Sequence, residues 1–227
     1  MNNTAILIPA RYGSTRFPGK PLAPLNGVPM IRMVYERCRK SGLDVYVLTD
    51  DDRIASKFTE GEVIVDDTDY ANGTERCAGA LNDRRLDKYT HFINVQGDMP
   101  DITTEIIVEL AKNCKDHHVL TAYTDMNSVD RANPDSVKLI HNGSKAKWFC
   151  RASLDYGDHH LGVYAYSRVA LLEYPNLIKT KEEEIEKLEQ LRWLQNNIDI
   201  GIVKVDFDGI EINTPEDLEK WHKQNSH

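Results

Sequence analysis

The first half of the chain alternates short apolar runs with segments whose apolar residues recur at helical spacing. Thr4–Pro9 is apolar enough for a buried strand, and Met30–Arg39 has the periodicity of an amphipathic helix. The further predicted strands are Val45–Leu48, Val63–Val65, His91–Val95 and Val119–Tyr123, and the further predicted helices are Asp51–Phe58, Glu75–Leu86 and Thr104–Cys114. Strands that alternate with helices predict an α/β fold in which helices cover both faces of a mostly parallel sheet.

The pattern changes after Asp125, where strand-like segments follow one another with few helical residues between them. These segments are Ser136–His141, Ala146–Phe149 and Leu161–Ser167. Such a succession predicts an antiparallel insertion or sheet edge, which we place at about residues 125–180.

The last quarter of the chain returns to alternating elements. A helix is predicted over about Glu182–Asn196 and a strand over Ile200–Phe207. Thr214 is then expected to cap the final helix, because Pro215 suits the first helical position and Asp217 lies three residues beyond the cap.

Composition narrows the class of protein. The 227 residues suit one α/β domain, and 28 Lys and Arg against 36 Asp and Glu give a net charge of -8. We therefore expect neither nucleic acid nor a membrane as a partner, because both carry phosphates that repel an acidic protein. Any phosphate that the chain binds must meet a local cluster of basic residues.

Cysteine spacing and the N-terminal segment point to a soluble, cytoplasmic protein. The cysteines, which form no CxxC pair and are expected to be reduced core thiols, are Cys38, Cys77, Cys114 and Cys150. The first residues lack the basic and apolar regions of a signal peptide, and no apolar run is long enough to span a bilayer.

A basic, glycine-containing loop follows the first predicted strand. Residues 10–22 (ARYGSTRFPGKPL) contain Arg11, Arg16 and Lys20 together with Gly13 and Gly19. Ligands of α/β proteins bind beyond the carboxyl ends of the strands, where glycines let backbone N–H groups approach an oxyanion and cations neutralise it. The loop is thus a candidate triphosphate site, and the alternative is an ordinary surface loop with scattered cations.

Two common phosphate-binding motifs do not fit this loop. A P-loop has four residues between its glycines and a Ser or Thr after its lysine, whereas five residues separate Gly13 from Gly19 and Pro21 follows Lys20. No G-x-G-x-x-G follows the strand, so a dinucleotide-binding fold is not supported.

The basic loop and six further segments resemble one known family. The further segments are NGTER (72–76), NVQGD (94–98), RAS (151–153), HLGVYAYS (160–167), EKLEQLR (186–192) and NTPEDLE (213–219). In this order and spacing they resemble the 3-deoxy-D-manno-octulosonate cytidylyltransferases. The resemblance implies a Rossmann-like nucleotidyltransferase fold, CTP and a 2-keto sugar acid as substrates, Mg²⁺ as cofactor, and a homodimer paired through residues 125–180.

The resemblance also assigns a role to individual residues. The nucleotide-binding residues would be Ala10, Arg11, Ser14, Lys20, Gly73 and Thr74. Of these, Arg11, Ser14 and Lys20 would hold the triphosphate, and Gly73 and Thr74 would contact cytosine. The sugar-binding residues would be Gln96, Arg151, His160, Tyr164, Glu189 and Gln190. Arg151 suits a carboxylate, whereas His160 fits a packed, hydrogen-bonded histidine nearly as well. Glu189 and Gln190 lie on the predicted helix, where a solvated face is the usual alternative.

The implied catalytic residues are Arg11, Lys20 and Asp98, and the implied metal ligands are Asp98 and Asn213. An Asp beyond a buried strand suits Mg²⁺, although it also suits a turn or helix cap. The family usually has a carboxylate at the position of Asn213. Glu211, two residues away on an extended segment and so on the same side, is a candidate to replace it. A solvated glutamate is the alternative.

Two other departures from the family pattern affect the expected function. Met99 replaces an acidic residue, which would reduce negative charge near the metal, and the segment Leu154–His159 is shorter than usual. The resemblance predicts transfer of CMP from CTP to an acidic eight-carbon sugar, 3-deoxy-D-manno-octulosonate. The alternatives are a related 2-keto sugar acid, such as an amino-substituted one, and a nucleotide-binding homologue with impaired catalysis.

Overall fold

The computed structural model describes residues 3–13 and 16–226. The strands of the main sheet and of a small hairpin are β1 (Thr4–Pro9), β2 (Pro24–Leu25), β3 (Val28–Pro29), β4 (Asp44–Thr49), β5 (Val63–Val65), β6 (His91–Asn94), β7 (Val119–Thr124), β8 (Lys138–His141), β9 (Ala146–Cys150), β10 (Asp158–Ser167) and β11 (Ile200–Lys204). The α-helices are α1 (Met30–Arg39), α2 (Asp52–Ala55), α3 (Gly73–Ala80), α4 (Thr104–Asn113), α5 (Ser128–Ala132), α6 (Arg168–Glu173), α7 (Lys181–Glu186), α8 (Leu191–Gln195) and α9 (Pro215–Gln224).

The main sheet has the strand order β11-β7-β10-β6-β1-β4-β5 and carries the β8–β9 hairpin beside β10. Strands β6, β1, β4 and β5 run parallel, as do β7 and β11, whereas β10 is antiparallel to both of its neighbours. The predicted α/β fold with a mostly parallel sheet is confirmed.

Strand β10 is a central strand, which corrects the expected limits of the insertion. It pairs with β6 on one side and with β7 on the other, so residues 158–167 belong to the main sheet. The β8–β9 hairpin leaves that path, and β8 pairs with the first residues of β10. Within the predicted insertion, residues 138–150 are therefore the part that extends the sheet sideways.

Apolar side chains fill both faces of the sheet. Along β1, Ala5 and Leu7 pack into one core cluster, while Ile6 and Ile8 pack into the cluster on the other face. This alternation follows from the two-residue period of a strand, and it explains why a doubly covered strand is apolar throughout. All four cysteines are buried and unbonded, as predicted.

Three predicted helices are shorter than expected. Helix α2 ends at Ala55, and α3 ends at Ala80 before the separate 3₁₀ turn Arg84–Leu86. The side chain of Asp83 caps that turn by accepting a hydrogen bond from the Arg85 N–H group. The predicted helix 182–196 is divided between α7 and α8, and the predicted strand 200–207 ends at Lys204.

The division between α7 and α8 has a physical reason. Lys187 has a left-handed backbone conformation (φ 54°) that ends α7, and the buried pair Glu183–Arg192 spans the break. In a straight helix, two side chains nine residues apart lie on opposite faces and are about 13 Å apart along the axis. The break brings Glu183 and Arg192 into direct contact.

No helix within residues 3–13 and 16–226 is both long enough and apolar enough to cross a bilayer.

Candidate active site

The basic loop begins at the carboxyl end of β1, and its Lys20 lines the cavity described below. The Ala10 N–H group donates to the carbonyl oxygen of Leu48 (2.8 Å), which keeps the start of the loop on the sheet. Gly19 has a φ of 71°, a conformation in which a side chain would be strained, and its N–H group donates to the Tyr12 carbonyl oxygen (3.1 Å). Arg11 lines the same cavity. Ser14 lies outside the described residues.

Asp98 lies against this loop because the chain beyond β6 passes close to the end of β1. A Cβ atom on Gly97 would be 3.2 Å from the Pro9 carbonyl oxygen and 3.1 Å from Ile31, so this approach requires a glycine. Asp98 follows directly, and its Oδ2 atom is 2.6 Å from the Lys20 Nζ atom. Both side chains are mostly shielded from solvent, at 16% exposure for Lys20 and 22% for Asp98.

The segment before α9 brings Glu211 and Asn213 to the same place. The Ile212 N–H group donates to the Asp98 carbonyl oxygen (2.9 Å), and the predicted capping box of Thr214 and Asp217 is confirmed. Burial raises the pKa of Glu211 to about 8, and the negative charge of Asp98 adds to the effect. Glu211 is therefore turned toward Asp98, which contradicts the alternative of a solvated glutamate.

Helix α3 begins on the opposite side of the cavity. The Asn72 side chain caps it by accepting from the Glu75 N–H group (2.8 Å), and Gly73 lines the cavity. Thr74 lies behind the wall: its hydroxyl is buried against the Tyr166 hydroxyl (3.0 Å), and its N–H group donates to the Glu189 carboxylate (3.1 Å). A direct side-chain contact between Thr74 and cytosine does not fit this position.

Arg151 is held at the cavity edge by backbone groups. Its Nε atom donates to the Glu186 carbonyl oxygen (3.2 Å), and its Nη1 atom donates to the carbonyl oxygens of Pro134 and Asp135 (3.2 and 3.1 Å). The neutral acceptors fix the guanidinium group without cancelling its charge. Such a cation remains available to a carboxylate.

His160 is buried on β10 beside the cavity. Its Nε2 atom is 2.9 Å from the Thr121 hydroxyl, and its ring lies between those of Phe149 and Tyr164. Burial lowers the pKa of His160 to about 3, and the neighbouring His159 and Arg151 lower it further in the same direction. The imidazole is therefore neutral near pH 7, and the packed, hydrogen-bonded histidine is confirmed.

The buried, neutral His160 predicts a specific dependence of stability on pH. Its folded-state pKa lies below the ordinary value of 6.5, so the unfolded chain binds the extra proton and stability falls as pH drops below 6.5. Between pH 7 and pH 5, protonation of this histidine in the unfolded chain lowers the free energy of unfolding by about 2 kcal/mol. The free energy of unfolding, measured with urea at both pH values, is expected to fall between pH 7 and pH 5 by about 2 kcal/mol less in His160→Gln than in the wild type. The control His118→Gln, at an exposed histidine, should keep the wild-type loss, and equal losses in all three proteins would contradict a neutral His160.

Glu189 and Gln190 lie in the break between α7 and α8, which corrects their predicted place on a continuous helix. Burial raises the pKa of Glu189, and Gln190 is only 2% exposed. The Gln190 Nε2 atom has no hydrogen-bond partner within the part of the chain that the structure describes. A buried donor without a partner is costly, so this amide is suited to an acceptor on a bound ligand.

These elements enclose a cavity of about 1040 Å³ at the carboxyl ends of β1 and β6. The predicted site residues that line it are Ala10, Arg11, Lys20, Gly73, Gln96, Asp98, Arg151, His160, Tyr164, Glu189, Gln190 and Asn213. Its volume exceeds the usual upper range for a drug-sized ligand, so a nucleotide and a sugar fit together. The structure thus brings residues from all seven sequence segments that carry the resemblance to one cavity. RAS and EKLEQLR also meet at Arg151 and Glu186.

Met99 is fully buried in the core cluster that includes Ile31, and the expected reduction of charge near the metal stays a prediction. Lining residues that the sequence analysis did not assign include Tyr70, Asn72, Arg76, Asp135, Glu183 and Lys187. Asn72 carried a usable signal, since Asn is a preferred helix cap and directly precedes the Gly73 turn.

Comparisons with known proteins show the family to which the chain belongs. Residues 5–200 match the sequence profile of the cytidylyltransferase family. The chain is 40% identical to an 8-amino-3,8-dideoxy-manno-octulosonate cytidylyltransferase of Shewanella sp. (strain ANA-3) over 98% of both chains, and equally identical to that of Shewanella halifaxensis over 95% of this chain and 96% of the relative. A structure of CMP:2-keto-3-deoxy-manno-octonic acid synthetase complexed with CTP superimposes with a TM-score of 0.89 at 33% identity and 97% coverage of both chains. The chain therefore belongs to the nucleotidyltransferase family of 3-deoxy-manno-octulosonate-type cytidylyltransferases.

Proposed function

We propose that this protein transfers CMP from CTP to a 3-deoxy-2-keto sugar acid of eight carbons, releasing pyrophosphate. The observation that carries the proposal is one cavity that contains two kinds of polar group. Arg11, Arg16 and Lys20 of the basic loop line it, and so do Arg151 and Gln190, whose Nε2 atom has no hydrogen-bond partner among the described residues. The cations of the basic loop suit a triphosphate, and Arg151 with the Gln190 amide suits a carboxylate and hydroxyl groups.

In the proposed reaction the anomeric hydroxyl oxygen of the sugar acid attacks the α-phosphorus of CTP. The new O–P bond forms as the bond between the α-phosphorus and the bridging oxygen breaks, pyrophosphate leaves with that oxygen, and the hydroxyl proton is released. Lys20 and Arg11 neutralise phosphate oxygens that gain charge, and Arg151 orients the sugar through its carboxylate. Positioning and charge neutralisation account for catalysis in such a transfer.

A divalent cation fits the region around Asp98. The described residues contain no group of three or more His, Cys, Asp or Glu side chains that could hold a metal on their own. Asp98, Glu211 and the amide oxygen of Asn213 line the same part of the cavity, and Mg²⁺ commonly combines one or two carboxylates with phosphate oxygens and water. When bound there, Mg²⁺ would neutralise phosphate charge.

Glu211 and Asn213 are expected to tune the Mg²⁺ requirement in opposite directions. A unit charge a few ångströms from a cation contributes on the order of a few kcal/mol at an effective dielectric of about 20, reduced where solvent screens it. At pH 9, above the Glu211 pKa of about 8, Glu211→Gln should therefore raise the Mg²⁺ concentration for half-maximal rate about tenfold, and Asn213→Asp should lower it. Initial rates and the affinity for Mn²⁺, measured by electron paramagnetic resonance with CTP present, are the two measurements.

The control for this titration is Glu216→Gln, which removes an exposed charge from the first turn of α9. Its curves should match those of the wild type. Superimposable curves for all four proteins would show that neither Glu211 nor Asn213 contacts the metal.

Two sugar acids are candidates for the acceptor. The solved relative is named for 2-keto-3-deoxy-manno-octonic acid, the acceptor predicted from the sequence, and this is the first candidate. The relatives at 40% identity are named for the 8-amino form, which is the second candidate. Its ammonium group requires an anionic neighbour, and the exposed Glu184 lines the cavity.

A pyrophosphate-release assay with four nucleotides and both sugar acids tests the proposal. CTP should give the highest kcat/KM by at least tenfold over ATP, GTP and UTP, because the turn at Gly73 presents backbone groups suited to one base edge. The ratio of kcat/KM for the two sugar acids then decides between the candidates. Equal rates with ATP would contradict the cytidylyl assignment, and absence of release with either sugar would favour a nucleotide-binding protein without this activity.

The homodimer implied by the resemblance stays a prediction. In residues 125–180 the side chains of Val129 and Tyr156 are 76% and 60% exposed, and they are apolar surface that a second copy would cover.

A further inference from the structure

Two segments that line the cavity are joined by two side chains, those of Arg192 and Tyr174, that do not line it themselves. We call residues 71–75 the base wall and residues 183–190 the sugar wall. Asn72 and Gly73 of the base wall line the cavity, as do Glu189 and Gln190 of the sugar wall. Arg192 and Tyr174 lie behind both walls and are almost completely buried.

Arg192 binds one carboxylate from each wall. Its Nε and Nη2 atoms donate to the two oxygens of Glu183 (2.8 and 2.6 Å), and its Nη1 atom donates to Glu75 (3.0 Å). The other oxygen of Glu75 accepts from the Ala71 N–H group (3.0 Å), which fixes the start of the base wall. A bidentate pair of this kind is rigid as well as strong, because it constrains direction as well as distance.

Tyr174 makes a second connection between the walls. The Arg192 guanidinium group lies over its ring, with 4.3 Å from the Cζ atom to the centroid. The Tyr174 hydroxyl donates to the Glu189 carbonyl oxygen (3.0 Å) and accepts from the Asn72 side-chain amide (3.2 Å). The Glu189 carboxylate also contacts the base wall directly, because it accepts a hydrogen bond from the Thr74 N–H group.

We propose that Arg192 and Tyr174 are positioning residues that couple nucleotide binding at the base wall to sugar binding at the sugar wall. The inference rests on the proposed function, which places cytosine at one wall and the sugar at the other. The Arg192 and Glu183 side chains are only 3% and 6% exposed, and that of Glu75 is 20% exposed, so a displaced wall would leave the buried Arg192 charge without a partner. The two walls therefore hold their bound positions together.

Coupling follows from this shared geometry. A ligand that fixes one wall also restricts the other, so the second ligand has less conformational freedom to remove when it binds. By linkage the effect is reciprocal: CTP raises the affinity for the sugar acid by the same factor by which the sugar acid raises the affinity for CTP.

The coupling is measured with the 2-deoxy analogue of the sugar acid, which lacks the attacking hydroxyl and cannot react. We expect a saturating concentration of this analogue, with Mg²⁺ present, to lower the Kd of CTP for the wild type about tenfold. Tyr174→Phe keeps the ring beneath Arg192 and removes the hydroxyl that joins Asn72 to Glu189. Its CTP Kd should change less than about twofold when the analogue is added, while CTP alone binds within about threefold of wild type.

The matched control is Tyr35→Phe, which removes a hydroxyl that is hydrogen-bonded to Glu62 in the core beside α1 and does not line the cavity. It should keep the tenfold effect. Arg192→Lys, a second variant that keeps the charge but loses the bidentate pair, should lose the effect in the same way; if it fails to fold, Tyr174→Phe decides. A wild type that binds both ligands without mutual effect, or a Tyr174→Phe variant with the wild-type effect, overturns the coupling. A wild type that binds neither ligand overturns the proposed function itself.

Discussion

Asp98→Asn is expected to reduce turnover by on the order of 10³-fold, because a bound cation contributes several kcal/mol of charge stabilisation and each 1.4 kcal/mol is a tenfold change in rate. The variant removes the carboxylate that we propose as the metal ligand, and it leaves the Lys20 ammonium group without its partner at 2.6 Å. The backbone hydrogen bond from Ile212 to the carbonyl oxygen of Asp98 remains, so the fold is expected to persist. The measurement is kcat at saturating CTP and sugar acid over a range of Mg²⁺ concentrations.

Asp208→Asn is the matched control for this variant, since Asp208 is exposed and does not line the cavity. It should retain wild-type turnover. Near-complete activity of Asp98→Asn at ordinary Mg²⁺ concentrations would show that the proposed metal site is wrong.

Lys20→Ala is expected to lower kcat by about 10²- to 10³-fold, as does the loss of one preorganised donor in other active sites. CTP binding should weaken less than tenfold, since Arg11 and Arg16 still line the cavity. The difference arises because the Lys20 charge meets phosphate oxygens that are more negative in the transition state than in bound CTP. Single-turnover rates and equilibrium CTP affinity separate the two effects.

Lys57→Ala, which removes an exposed lysine outside the cavity, controls for the change in net charge and should leave both quantities unchanged. If Lys20→Ala weakened CTP binding strongly and left the single-turnover rate intact, Lys20 would be a binding residue without a special part in the transfer.

The fold was predictable where local pattern determines the element. The doubly covered strand β1 and the amphipathic helix α1 have the bounds that were predicted. The position of β10 was not predictable, because an apolar segment such as Leu161–Ser167 has the same composition at an edge or in the centre of a sheet. Its pairing with β6 joins residues about seventy positions apart, and such contacts leave no local pattern.

The site was predictable at the ends of strands and less so elsewhere. Lys20 and Asp98 follow buried strands, so their common location is a consequence of topology. Thr74 is different, because one helical position separates it from Gly73 on the cavity wall, and only the packing against Tyr166 decides which side chain faces inward. Glu211 became recognisable as a site residue once the segment before α9 was seen to contact Asp98.

The central place of β10 has a consequence for how this protein can change its substrate. His160, Gly162 and Tyr164 of β10 line the cavity, and Tyr164 pairs with both β6 and β7, so a substitution there disturbs the ladder and the core together. The short turn at 154–157 and the break at 187–190 lie outside regular elements and tolerate change more readily. New acceptor specificities are therefore expected to evolve first in those two loops, with β10 conserved as a shared floor beneath different sugars.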